Sequence, residues 1–543
     1  MHRLRNGKIV KTFFIRIFVF LFLYKNKKYM KNMNKISLFS TLLLVLLCLN
    51  NSFAQQADVV WGEKIKTKRM AGIIGGNEKN YYTTHYGKDK QLVFRKYNQS
   101  MKLEKEQIIP FELDEKRYSY NKTIFLKDKI VHLISERKKK EKKTYLYAST
   151  TDLNLNVIGK TLILDEGQVN SSGGGLFSVQ GYNSNVFGIT AISPDSTKLL
   201  VYKEKPTKRN EPTKMGFKVY DSDLTTLLFN KDVDLPIKDK NFSVSEIEID
   251  NYGNIYVLAL IYKESKEVKK GQSDNYYKLI AFEKGSGKPK QFDFDFQGDE
   301  IMTIEIEHGA NNTLVCTGFL SDIKRGLLST STSNISDEFF ITNIDCSNFS
   351  ILSKIRTKVT ELYPERKKRE DYVPYVIRNV YSKPDGSYTV VAEQYKLEIR
   401  TFTDSRGRTR TTYRYFYCDI ACMNVDAAGK LKSISKIPKY QLNADNPSIQ
   451  STYYNGNVYI IYEDLSKNAQ ANTDKEIKRS SGSGGSRDGL FLITVSPDGQ
   501  VKKDLVYGYK QTKIQPYIMF SKKITSNIIL LNAKDQIGKI EFK

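Results

Sequence analysis

Four short strands joined by tight turns, read between Val244 and Phe296, constrain the whole chain. Ser245-Glu246-Ile247-Glu248-Ile249 alternates polar and apolar residues, the pattern of a strand with one covered face. Asp250-Asn251-Tyr252-Gly253-Asn254 comes next, rich in residues that hydrogen-bond locally or tolerate positive φ, and so reads as a turn. Ile255 to Ile261 is wholly apolar, as expected for a strand covered on both sides. After a charged loop come Tyr277 to Phe282, a Gly-Ser-Gly turn at Gly285 to Gly287, and an alternation of Phe292, Phe294 and Phe296 with Asp293 and Asp295. Such a unit cannot bury its apolar faces alone, so whether it recurs decides the fold.

It recurs. Compact copies begin near Met70 and Lys122, and the next begins at Phe187 after a Gly/Ser-rich connector, Gly167 to Gly175. Further copies begin near Met302, Val376 and Ser451, punctuated by Ser193-Pro194-Asp195-Ser196, Lys383-Pro384-Asp385-Gly386 and Ser496-Pro497-Asp498-Gly499. Pro-Asp-Gly and Asn-Gly supply the backbone geometry that tight turns need. The chain ends part-way through a cycle: Pro516–Phe520, Ile528–Asn532 and Ile537–Phe542 give three strands and no fourth. A lone strand at 57–65 supplies the missing one, which closes a ring without leaving an exposed edge. The expected fold is all-β, a single β-propeller of four-stranded antiparallel blades closed by an N-terminal strand. Eight blades is the expected count, with seven as the alternative.

The turns carry a resemblance. Ser193-Pro194-Asp195-Ser196 and Ser496-Pro497-Asp498-Gly499 resemble the Ser-Pro-Asp-Gly turns of TolB-like propellers. Asp250 to Val257 is similar to the Asp-x-x-Gly-Asn-x-Tyr-Val signature of NHL-like propellers. Together with a signal-like N-terminus, these turns resemble exported propeller proteins of Bacteroidetes. The resemblance implies a fold and transfers no functional residue.

That N-terminus divides the chain into 1–29, an upstream extension, 30–54, a signal peptide, and 55–543, the propeller domain. Lys31 and Lys35 precede the apolar Leu38 to Leu49, and Ser52 and Ala54 stand where a cut before Gln55 needs small residues. The apolar stretch is short of the ~20 residues that span a membrane comfortably, so no span is expected once it is removed. A secreted, periplasmic or cell-envelope protein is expected. Export permits disulfides, but Cys418 and Cys422 lie about 13 Å apart along one strand, too far to pair. Cys316, Cys346, Cys418 and Cys422 are expected as buried thiols.

The formal charge is +26, and ten of the Lys/Arg residues lie in 1–54 with no acid beside them. The remainder holds 76 Lys/Arg against 60 Asp/Glu and is still basic. Such a balance favours anionic partners, or simply keeps a Lys-rich surface soluble. The expected partner is an anionic polysaccharide or a protein, not nucleic acid, and the protein is expected to be a monomer without a cofactor. Loops after the second strand of each unit are long and basic, and they share one face. Thr401 to Tyr417 stands out, with Arg406, Arg408, Arg410 and Arg414 interleaved with threonines, Tyr413 and Tyr415. In a hairpin ribbon turning at Asp404-Ser405-Arg406-Gly407 the arginines fall largely on one side. Arginine beside tyrosine suits phosphate, sulfate or carboxylate, so Arg406, Arg408, Arg410, Tyr413 and Arg414 are the candidate ligand-binding set. A solvated hairpin is the plain alternative.

Catalytic signals are sparse. His85, His132 and His308 are scattered, with no His-rich metal pattern, and no Gly-x-Ser-x-Gly elbow occurs. Asp293 and Asp295 share a face but read as the wet side of an outer strand. The sequence therefore favours an exported binding or scaffold protein that presents a basic long-loop face to an anionic glycan or partner protein. The alternative is a propeller enzyme acting on polysaccharide, a lyase or glycosidase, with convergent acids ~5–9.5 Å apart.

Overall fold

The computed structural model describes residues 57–65, 72–87, 91–110, 118–138, 140–168, 187–205, 207–268, 272–284, 289–296, 299–322, 335–363, 373–403, 406–442, 448–479 and 488–543. The expected signal peptide, 30–54, and the expected upstream extension, 1–29, lie outside them. Residues 59–542 form one compact unit. Of the other unit, 1–58 with Lys543, only Ala57, Asp58 and Lys543 are described, and Lys543 pairs with Asp58 at 2.7 Å. Among the described residues no helix is long and apolar enough to cross a membrane.

Eight antiparallel sheets make an eight-bladed propeller. Their innermost strands, blades 1 to 8 in order, are Gly72–Gly76, Tyr118–Leu126, Phe187–Ile192, Phe242–Ile249, Asp299–His308, Tyr375–Ser382, Gln450–Tyr454 and Lys522–Thr525. Each innermost strand in blades 1 to 7 is succeeded outward by the next three strands of the chain. Blade 8 differs: Lys522–Thr525, Ile528–Asn532 and Ile537–Phe542 are completed by Ala57–Trp61. The closure is tight, since a Cβ on Gly538 would lie 2.5 Å from the Trp61 ring, and the Gly62 N–H donates to the Ile537 carbonyl at 2.9 Å. Pro516–Phe520, expected as a strand of blade 8, is not one: Ile518–Phe520 forms a 3₁₀ turn and the innermost strand begins at Lys522. Ile518 is buried while Met519 and Phe520 are exposed, a three-residue period incompatible with a strand, and proline offers no ladder donor.

The core lies in the seams between blades. Leu200, Phe217, Val257 and Phe282 fill the seam between blades 3 and 4; Tyr256, Leu258, Leu314 and Phe340 fill that between 4 and 5. Ile255 to Ala259 is buried throughout because it contributes to both seams, which is why that run is wholly apolar. Outer strands alternate with solvent, as in Ile351–Lys358. Asp293 on such a strand, Lys290–Phe294, pairs with Lys278 at 2.5 Å, and Asp295 just past its end pairs with Lys263 at 3.0 Å. Asp250 accepts the N–H groups of Tyr252, Gly253 and Asn254 at 2.8–2.9 Å, and Asn254 donates to the Cys346 carbonyl at 3.2 Å, so this turn ties blade 4 to blade 5. Gly253 sits at φ +94°, a conformation that favours glycine. Cys316, Cys346, Cys418 and Cys422 are free and buried.

Every innermost strand except that of blade 7 breaks register with its neighbour part-way along, for example between Val244 and Glu246 and between Ile301 and Thr303. An extra residue of this kind re-aims the side chains beyond it. In blades 4 and 5 those side chains include Glu246, Glu248, Glu305 and Glu307.

Candidate functional site

The ribbon foreseen around Thr401 exists. Strands Tyr388–Thr403 and Thr409–Val425 continue past the end of the blade 6 innermost-strand pairing at Gln394 and run to Thr403 paired with Thr409. Lys396 to Thr403 therefore projects roughly 26 Å. Gly407 turns the ribbon at φ +74°; Asp404 and Ser405 lie outside the described residues.

Register divides the candidate residues. Glu398 faces Arg414, Arg400 faces Thr412 and Phe402 faces Arg410, so Arg410 and Arg414 share the side that carries Lys396, Glu398 and Arg400. Tyr413 pairs with Ile399 on the opposite side, with Leu397 and Tyr415, and is 54% exposed. Arg406 and Arg408 are exposed at the tip. Of the five, Arg414 lines a large cavity.

That cavity, about 1060 Å³, is a cleft between blades 6 and 7. The charged side of the ribbon makes one wall. The segment 472–479, part of the long connection between the second and third strands of blade 7, makes another, and 436–440 and Asp419 lie between them. Seven Lys/Arg side chains line it, Lys396, Arg400, Arg414, Lys436, Lys439, Lys475 and Arg479, against only Glu398, Asp419 and Asp474. Glu398 accepts from both Arg400 at 3.0 Å and Arg414 at 3.3 Å, and these contacts, Arg400 first, hold its carboxyl below the usual range. Arg414 lies 5.3 Å from the centre of the Phe416 ring and Arg479 4.7 Å from that of Tyr440, so both guanidinium groups rest on aromatic faces. Cys418 is no nucleophile here, because burial pushes its thiol up to about 12.

Beneath the cleft lies a buried ionic network. Glu393 and Lys439 are both fully buried and pair directly. Arg378 donates to Glu393 through Nε at 2.9 Å and lies within ion-pair range through Nη2 at 2.8 Å, and Ser448 donates at 3.0 Å. Lys439 also donates to Gln441 at 3.0 Å, and Gln441 donates to the Glu463 carbonyl at 2.7 Å. Blade 6 is thereby joined to blade 7 directly under the cleft.

The second charged region is the central channel. Lys122, Glu246 and Glu248 line a cavity of about 390 Å³ bounded by the innermost strands of blades 2, 3 and 4. Burial first, then Glu305, pushes the Glu246 carboxyl up to about 8; burial and Glu307 push Glu248 up to about 7. Burial likewise raises Glu307 to about 6 and raises Glu305. Lys122, Lys522 and Lys523 shift downward, chiefly through burial. His308 Nε2 stands 3.8 Å from Glu248. Among the described residues no Lys or Arg forms an ion pair with these four glutamates, and no group is arranged to hold a metal. His132 is fully buried between Thr123 and Thr151, and burial lowers its pKa to about 3, which makes it a packed core residue.

The sequence had pointed to one of the cleft's walls, the arginine-bearing ribbon. It missed Asp419, Lys436 and Asp474, which come together from segments as much as 55 residues apart.

No family model matches the sequence, and no curated protein matches it. Among solved structures, prolyl oligopeptidase B from Galerina marginata is similar at TM-score 0.38 and 8% identity, over 81% of this chain and 51% of that one. The chain thus spans about half of that oligopeptidase. The β-propeller domain of the Trilobed protease from Pyrococcus furiosus gives 0.35 and 11%, over 82% of this chain and 98% of that one. The Nup133 β-propeller domain of Vanderwaltozyma polyspora gives 0.35 and 10%, over 87% and 100%. The eight sheets and the seams between them, rather than these resemblances, make this chain a propeller.

Proposed function

We propose that this chain is an exported β-propeller that captures an anionic ligand, an acidic glycan or the acidic surface of a partner protein, in the cleft between blades 6 and 7. One observation carries the reading: leaving aside the buried Lys439, already paired with Glu393, the cleft walls bring six cationic side chains against three carboxylates, with two of the guanidinium groups laid on aromatic rings. A concave site with excess positive charge concentrates anions, and planar guanidinium groups suit carboxylate and sulfate. Arg410 extends the same charged side outward, and Arg406 and Arg408 continue it at the tip. Export rests on the signal-like residues 30–54.

Binding of a sulfated tetrasaccharide, measured by calorimetry, tests the cleft. Arg414→Glu with Arg479→Glu is expected to weaken binding at least ~10-fold, and wild-type affinity is expected to fall as salt rises. Unchanged affinity in the double variant would rule the cleft out as the binding site. A polysaccharide-cleaving enzyme is the second reading, supported by the four channel glutamates and His308; loss of cleavage in Glu307→Gln would favour it.

A further inference from the structure

We propose that the cleft is a pH-gated anion trap, in which protonation of Asp419 releases Lys436 to the ligand so that capture strengthens as the surroundings acidify. The inference rests on the reading of the cleft as an anion site and adds its regulation.

The geometry is a lysine held between two unlike carboxylates. Lys436 Nζ lies 3.0 Å from Asp419 and 2.7 Å from Asp474. The Asp419 side chain is 13% exposed, whereas that of Asp474 is 55% exposed. While Asp419 is ionised, Lys436 is neutralised twice over and contributes little to an incoming anion. Once Asp419 is neutral, only the solvent-screened Asp474 competes for the ammonium.

The groups around Asp419 set when this happens. Burial raises its carboxyl to about 6, and Asp474 adds to the rise. Lys436 on the outer strand of blade 6 opposes it, as does the Lys439 N–H, which donates to Asp419 at 3.1 Å. From the neighbouring strand Gln394 Oε1 accepts the Asp419 N–H at 3.3 Å. Cys418 beside it, Tyr375 on the innermost strand and Tyr462 of blade 7 all sense its negative charge, and burial keeps each of them protonated. Lys436 itself is held upward by Asp419 and Asp474 against its burial, so it stays charged throughout. Asp419 thus titrates between pH 5 and 7.5 while Lys436 keeps its charge.

The probe is a sulfated tetrasaccharide, whose sulfates stay ionised across this range. Wild type is expected to bind it about 5-fold more tightly at pH 5 than at pH 7.5. Asp419→Asn is expected to bind at pH 7.5 as wild type does at pH 5, with no further gain on acidification. The channel glutamates are intact in that variant, so they cannot account for a loss of pH dependence. A pH-independent wild type, or an Asp419→Asn protein as pH-dependent as wild type, would overturn the proposal. Absence of binding at any pH would instead defeat the cleft reading. In that event the gate is read without ligand, from the NMR signal of ¹³C-methylated Lys436. A shift with a midpoint near 6 that disappears in Asp419→Asn supports it, and an identical titration in both proteins refutes it.

Discussion

Replacing Glu246 by glutamine is expected to stabilise the propeller at pH 9 by about 2 kcal/mol, and to leave its stability at pH 4 nearly unchanged. Burial, reinforced by Glu305, raises the folded-state pKa of this side chain from 4.5 to about 8. Between those values the folded chain binds a proton that the unfolded chain has lost. The stabilising contribution is therefore complete below about 4.5 and disappears as pH climbs through 8. Above that, wild type holds a poorly solvated carboxylate in the channel, which a neutral amide avoids. Glutamine can still accept the Ile306 N–H that Glu246 accepts at 3.2 Å. Partial contact with channel water keeps the gain below that of a fully buried group. Glu248 and Glu307 shift in the same direction, so wild type should lose stability progressively from pH 5 to 9. Urea unfolding of both proteins at pH 4 and pH 9 reads the effect. Equal destabilisation of the variant at both pH values would show that Glu246 is ionised and well solvated in the fold.

Removing Glu393 should cost more than any single change at the surface. Glu393→Ala leaves Lys439, itself fully buried, without its carboxylate and strips Arg378 of its partner. A loss of about 3–5 kcal/mol is expected, the usual consequence of leaving a buried charge uncompensated. Pairing Glu393→Leu with Lys439→Met should recover much of it, because the desolvation penalty disappears with both charges. Arg378 retains the Tyr395 and Tyr417 rings, 5.6 and 5.9 Å from its guanidinium, and reaches solvent. The urea midpoints of the single and double variants separate these cases. A single variant within ~1 kcal/mol of wild type would mean that the seam between blades 6 and 7 does not depend on this network.

The scaffold could be read from the sequence because its signals are local. The wholly apolar run from Ile255, the Asp250–Asn254 turn and the Pro-Asp-Gly turns each report their own backbone, and eight repetitions reinforce one another. Even the closing strand at Ala57–Trp61 emerged from counting. Pro516–Phe520 failed because three apolar residues in a row suit a 3₁₀ turn as well as a strand. The channel failed for a different reason. Glu246 and Glu248 alternate with isoleucines and look like a solvated face, but beyond the register break at Val244 they line the central channel, where neighbouring strands and the other glutamates reduce their contact with water. The cleft was half visible. The ribbon and its arginines were plain, yet alternation alone could not say that Arg414 lines a cavity while Tyr413 points away from it. Asp419 and Lys436 sit in ordinary strand patterns, and their partnership exists only across adjacent strands and with Asp474 from the next blade.

Where the anion binds is the central claim, and footprinting addresses it most directly. Hydroxyl-radical labelling of the protein with and without a saturating sulfated tetrasaccharide, read by mass spectrometry, reports protection residue by residue. Protection is expected at Phe416 and Tyr440, and none at the channel or on the Asp250–Asn254 turn. Protection confined to channel residues such as Ile192, with the cleft unchanged, would contradict it.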